Sequence, residues 1–162
     1  MLIAAAAVYG GGSYTALKRE QLNELDALCH TLRLMQDELE TRALPLPELA
    51  AQLDTRTENA GKALLSGLLR HLPELGSRDF QNIWEECVTE SVKHSEEAAR
   101  LLCTLGSFLG RYDVDSQLEA IRSCRETLEK LRTTAAEALP QTRRLGMGLA
   151  LTSGALIVIT LI

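Results

Sequence analysis

The side chains best suited to nucleophilic, redox or metal chemistry in this 162-residue sequence are four cysteines and three histidines. Their spacing supports none of these chemistries. Cys29, Cys87, Cys103 and Cys124 stand 58, 16 and 21 residues apart, so no pair has the two-residue gap of zinc and redox sites. They fall mostly on apolar helix faces and read as small buried thiols in a reducing compartment. His30, His71 and His94 are scattered, and although Glu90 precedes His94 by one turn, no second ligand follows at metalloprotease spacing. Gly146-Met147-Gly148 opens like a dinucleotide loop but has no strand before it, and no phosphate loop ending in Gly-Lys-Ser/Thr occurs. Glu85 with Glu86, and Glu96 with Glu97, could serve as acid and base, yet on amphipathic helices they are most simply solvated faces. The sequence therefore predicts no catalytic residue, no metal site and no cofactor. With 22 acidic against 17 basic side chains, it also predicts no nucleic-acid partner, because the domain as a whole repels phosphate.

If chemistry is absent, shape must carry the function, and the composition limits the shapes available. Hydrophobic residues make up 46% and aromatics only 4%, a Leu- and Ala-rich alphabet that builds helices and excludes an all-β fold. The length suits one domain. Leu22, Leu25, Leu28, Leu32, Met35 and Leu39 recur in steps of three and four as a first helical seam. It stops near Thr41, before Leu44-Pro45-Leu46-Pro47. Pro47 opens a short second helix carrying Leu46, Leu49, Ala50 and Leu53. A third helix over residues 57–72 turns Ala60, Ala63, Leu64, Gly67, Leu68 and Leu72 inward. Asp79 is placed to cap a fourth, with Ile83, Trp84, Cys87 and Val88 facing the core and Trp84 as its anchor. Ser95 caps a fifth that ends around Gly110, with Leu101, Leu105, Phe108 and Leu109 on its apolar face. Asp113 caps a sixth, whose seam is Leu118, Ile121, Cys124, Leu128, Leu131, Ala135 and Ala138, and Asp115 sits favourably in its first turn. An all-α bundle of about six helices is the expected fold.

Every Asp, Glu, Lys and Arg lies between Lys18 and Arg144. Leu145 to Ile162 is eighteen uncharged residues, which as a helix would cover roughly 27 Å of a hydrocarbon core of about 30 Å. Met1 to Leu17 is less hydrophobic, but its positive charges follow the apolar run, which favours an uncleaved anchor over a signal peptide. The expected organisation is an anchor at 1–17, a bundle at 18–144 and a transmembrane helix at 145–162. Lys18, Arg19, Arg143 and Arg144 flank the bundle side of both spans, so the positive-inside rule puts the bundle in the cytoplasm.

The run LGSFLGRYDVDSQLEAI, Leu105 to Ile121, resembles a signature of the stage III sporulation protein AB family, in which a Leu-Gly pair is followed by Asp and Gln. Those positions are Leu109, Gly110, Asp113 and Gln117 here, with Gly106 just upstream. Other parts keep the family's order: the helix running to Met35-Gln36-Asp37-Glu38-Leu39, Pro45 to Glu48 around Pro47, Ile83-Trp84-Glu85-Glu86, the basic pair and the apolar terminal helix. The first segment departs from the family in being rich in Ala and Gly.

The resemblance implies a non-enzymatic protein of the mother-cell membrane facing the forespore. It implies a bundle that looks like the cytoplasmic part of type II secretion platform proteins. Its expected partners are the sporulation ATPase and other membrane components from the same operon, and homo-oligomers are an open option. A two-span signalling or adaptor protein is the alternative reading. If the first and last helices leave the membrane as rods, the loops around Arg42, Arg111 and Asp115 form a tip remote from the lipid, and that tip is the expected ATPase contact.

Overall fold

The computed structural model describes the backbone of residues 2–109 and 113–160, and the side chains of residues 16–109 and 113–138. Two long helices dominate it: α1, Leu2–Arg42, and α6, Val114–Thr160. Between them come α2 (Leu46–Asp54), α3 (Asn59–His71), a 3-10 turn at Leu72–Glu74, α4 (Phe80–Ser91) and α5 (Glu96–Gly106). No strand occurs among the described residues.

α1 and α6 make the most extensive helix pair and run antiparallel. Three side-chain bonds mark their register: Glu40 accepts from Arg122 at 3.4 Å, Gln36 accepts from Arg125 at 3.3 Å, and Asp26 pairs with Arg132. The predicted α1 seam is the core itself, with Leu25, Leu28, Leu32, Met35 and Leu39 all buried. Ile121, Cys124 and Leu128 are buried on α6, and Leu118, Leu131 and Ala135 pack at the margin of the same core. The alternation of three and four residues puts these side chains on one stripe of each helix, and burying both stripes together holds the helices side by side.

The four shorter helices close over this pair. Pro47 stands in the first turn of α2, where its missing N–H costs nothing, and Leu49, Ala50 and Leu53 are buried as expected. α3 crosses α1 at close range. A Cβ on Gly61 would strike the Thr31 hydroxyl and stand 3.1 Å from the Ala27 carbonyl, so only glycine admits this approach. Thr31 satisfies its own buried hydroxyl by donating to the Ala27 carbonyl at 2.8 Å.

Several expectations need correction. α3 starts at Asn59, not at residue 57, and Ala63 faces solvent. α5 ends at Gly106, four residues before the expected stop, and Ser107 to Leu109 continue as turns. Phe108 is 39% exposed and Ala138 is also exposed. Asp79 stands at the N-cap position, but its side chain makes no capping bond, and its carbonyl accepts from the Ile83 N–H at 3.3 Å. The caps by Ser95 and Asp113 are formed as expected: the Ala98 N–H donates to Ser95 Oγ at 3.2 Å, and the Ser116 N–H donates to Asp113 Oδ1 at 2.9 Å.

One further tie has no counterpart in the residue pattern. Glu24, only 6% exposed, accepts the backbone N–H of Lys93 at 2.7 Å and that of His94 at 3.1 Å. One carboxylate on α1 thus satisfies two donors in the link between α4 and α5, and hydrogen bonds to a carboxylate are stronger than those between neutral groups. Glu24→Ala is expected to cost about 2–3 kcal/mol of unfolding free energy and Glu24→Gln roughly half of that. Urea unfolding read by the fluorescence of Trp84, the sole tryptophan, measures both values.

Candidate functional site

Of the family-motif residues, Trp84 and Gly106 meet where α4 packs on α5, Asp113 and Gln117 stand at the start of α6, and Pro47 lies apart on α2. Trp84 is fully buried and stacks on Phe80 with ring centroids 6.1 Å apart. Its indole N–H donates to the Leu102 carbonyl at 2.6 Å, and Gln81 on the preceding turn donates to the Cys103 carbonyl at 3.0 Å. α4 thereby takes two carbonyls near the end of α5. Gly106 explains how the indole fits. A Cβ there would lie on the ring, 2.8 Å from Trp84 Cγ and 2.9 Å from Nε1. Gly106 is the last helical residue of α5 and makes room for Trp84.

Leu109 is fully buried, and Asp113 caps α6. The Asp113 carboxylate is held below its ordinary pKa by hydrogen bonds from Ser116, first from its side chain and then from its N–H. Gln117 is half-buried one turn further on, and its N–H donates to the Asp113 carbonyl at 3.1 Å. Gly110 and Arg111 lie outside the described residues. The motif thus includes a buried aromatic, the glycine that admits it and the cap that restarts the chain, and each of these roles is structural.

The candidate tip is partly described. Arg42 ends α1 and reaches Gln52 of α2 at 3.3 Å and Glu38 at 3.5 Å, while 57% of its side chain stays exposed. Asp115 is exposed in the first turn of α6. The Glu40–Arg122 bond sets the end of α1 beside the third turn of α6, so Arg42 and Asp115 lie at the same end of the helix pair. At the opposite end, Lys18 donates to Gln21 at 3.1 Å and Arg19 is exposed. The side chains of Arg143 and Arg144 and the whole of 145–162 lie outside the described ones, as does all of 1–17 except Ala16 and Leu17. Among the described residues, no helix is long and apolar enough to cross a membrane.

The thiols are poor nucleophiles. Burial pushes Cys29 and Cys87 up to about 11 and Cys124 to about 12, and Cys103 is also raised by burial, so all four are protonated near neutrality. Among the described residues, no three of His, Cys, Asp or Glu are grouped so as to hold a metal ion.

The family model described as stage III sporulation protein AB matches residues 1–162. The chain belongs to that family. A solved structure titled stage III sporulation protein AB shares its fold, with a TM-score of 0.65 at 21% identity over 75% of this chain and 97% of that one. No curated protein matches the sequence. The resemblance read from Leu109, Gly110, Asp113 and Gln117 is therefore correct at the level of family, and that family is a sporulation family and not a known enzyme family.

Two outcomes follow from these residues. Gly106→Ala should destabilise the domain by about 3 kcal/mol, the upper range for overpacking, and shift Trp84 emission to the red as the ring is displaced; unfolding and fluorescence of one sample test both. Asp113→Ala should lower the melting temperature at neutral pH. Because the folded carboxyl titrates below its ordinary value of 3.8, its contribution is complete above that value and lost as pH falls through the lower folded one, so the gap between wild type and variant should close in strong acid.

Proposed function

We propose that this protein is a non-enzymatic membrane platform of the sporulation complex between mother cell and forespore, with its bundle in the mother-cell cytoplasm and a secretion-type ATPase docked on the tip. The observation that supports this reading is the antiparallel pair of α1 and α6. Their antiparallel register directs the start of α1 and the end of α6 toward the same end, where both lead into the uncharged stretches 1–17 and 145–162. The loops that end α1 and begin α6 gather at the other end. Such a spine separates an anchoring end from a docking end by its own length. Lys18 to Glu40 alone rises about 34 Å. The protonated thiols, two buried and two half-buried, and the structural use of the family motif favour a part that binds and positions over one that reacts.

The tip residues differ in what their loss would do. Arg42 is largely exposed and reaches Glu38 of its own helix and Gln52 of α2, while Arg132, nearer the anchoring end, is paired with Asp26. Arg42→Glu should abolish co-purification of the ATPase from membranes, whereas the double exchange of Asp26→Arg with Arg132→Asp should leave it intact. Retention of the ATPase by Arg42→Glu, with loss in the double exchange, would move the contact to the anchoring end.

A further inference from the structure

A second surface begins beside the tip at Ser116 and runs along the side of α6 that α1 does not cover. Between α5 and α6 runs a groove of about 580 Å³. Leu101, Leu105 and Phe108 line one wall and Ala120 and Cys124 the other, and Phe108 leaves 39% of its surface in water. The α6 wall also offers Ser116, Ser123 and Thr127, small side chains that leave the groove open along its length. From Ser116 to Thr127 the wall extends about 17 Å, three turns of helix. An open apolar trough of this length accepts the anchor side chains of a helix at i, i+4, i+7 and i+11.

The charges around the groove decide what kind of helix. Glu119 lines it with 73% of its side chain exposed. Arg122 reaches Glu119 at 3.6 Å but also serves Glu40 at 3.4 Å, so one cation is shared between two acids. Further along α6 the surface continues as a shallow trough lined by Glu126, Glu129, Glu137 and one Lys130. Glu129 is paired with Arg125, which leaves Glu126 and Glu137 against Lys130. The apolar groove is thus extended by an acidic strip. A second copy of this chain laid on it would bring Glu119 and Glu126 against their own equivalents, and an anionic lipid surface would be repelled in the same way.

We propose that the groove between α5 and α6 binds a basic amphipathic helix of a partner protein, with apolar anchors between Leu101, Phe108 and Ala120 and Lys or Arg side chains over Glu119 and Glu126. This goes beyond the platform reading and stands without it, because it concerns another face and does not require the ATPase.

The test uses the full chain in non-ionic detergent. The probe is a fluorescent Ala-based helical peptide of about sixteen residues, with Leu at i, i+4, i+7 and i+11 and Lys flanking them, measured by anisotropy against micelles alone. Saturable binding is expected, and it should weaken about tenfold in the double variant Glu119→Lys, Glu126→Lys and again when salt is raised to about 0.5 M. Ser123→Trp, which fills the groove from an exposed position, should abolish it. A peptide with Glu in place of Lys should not bind. Equal binding of the two peptides, or wild-type affinity in the charge-reversed protein, would overturn the proposal. So would a failure of the Lys peptide to bind while sedimentation shows a dimer that Ser123→Trp dissociates, since the occupant would then be a second copy.

Discussion

The rest of the fold depends on the apolar contact between the stripes of α1 and α6. These helices come from opposite ends of the sequence, so pairing them closes a loop of about seventy residues, and only a long buried seam offsets that entropy. Leu25, Leu28, Leu32, Met35 and Leu39 on one side and Ile121, Cys124 and Leu128 on the other supply it. The polar bonds at Asp26–Arg132, Gln36–Arg125 and Glu40–Arg122 lie at its margin, where solvent screens them. They fix register more than they stabilise. Once the pair is set, α3 can rest on α1 only where Gly61 meets Thr31, and the link between α4 and α5 is held only where Glu24 reaches it.

Trp84 and Gly106 act mechanically, as an anchor and the space for that anchor, and Asp113 separately acts as the start of the last helix. The same holds for the polar residues of the core. Glu24, Thr31 and Thr57 are buried, and each is satisfied by backbone groups. This supports the proposed role of an assembly component, whose surfaces matter and whose interior keeps those surfaces apart.

Much of this was legible in the sequence because long amphipathic helices repeat their signal over many turns. The seams of α1 and α6, the Pro47 start of α2, and the caps at Ser95 and Asp113 all rest on local rules, and local rules can be read from a string of residues. The errors fall where the signal is weak or distant. Ala63 and Ala138 face water against the expected pattern, and alanine carries too little hydropathy to report its side of a helix. The need for glycine at position 106 is set by Trp84, 22 residues upstream, whose ring leaves no room for a side chain there. Glu24 sits directly before Leu25 in the seam, and its register beside a buried stripe was the available hint. What it binds is a pair of backbone groups some seventy residues away, and no spacing rule reports that.

The proposed arrangement, a helix pair anchored at one end and free at the other, is tested most directly by the environment at its two extremes. Nitroxide labels placed singly at Asp37 and at Leu151 of the full chain in lipid vesicles can be probed with oxygen, which enriches in hydrocarbon, and with a water-soluble nickel chelate. The Asp37 label is expected to meet the chelate freely, whereas the Leu151 label is expected to meet oxygen and to be shielded from the chelate. Equal access of the chelate to both positions would contradict the anchored-end arrangement.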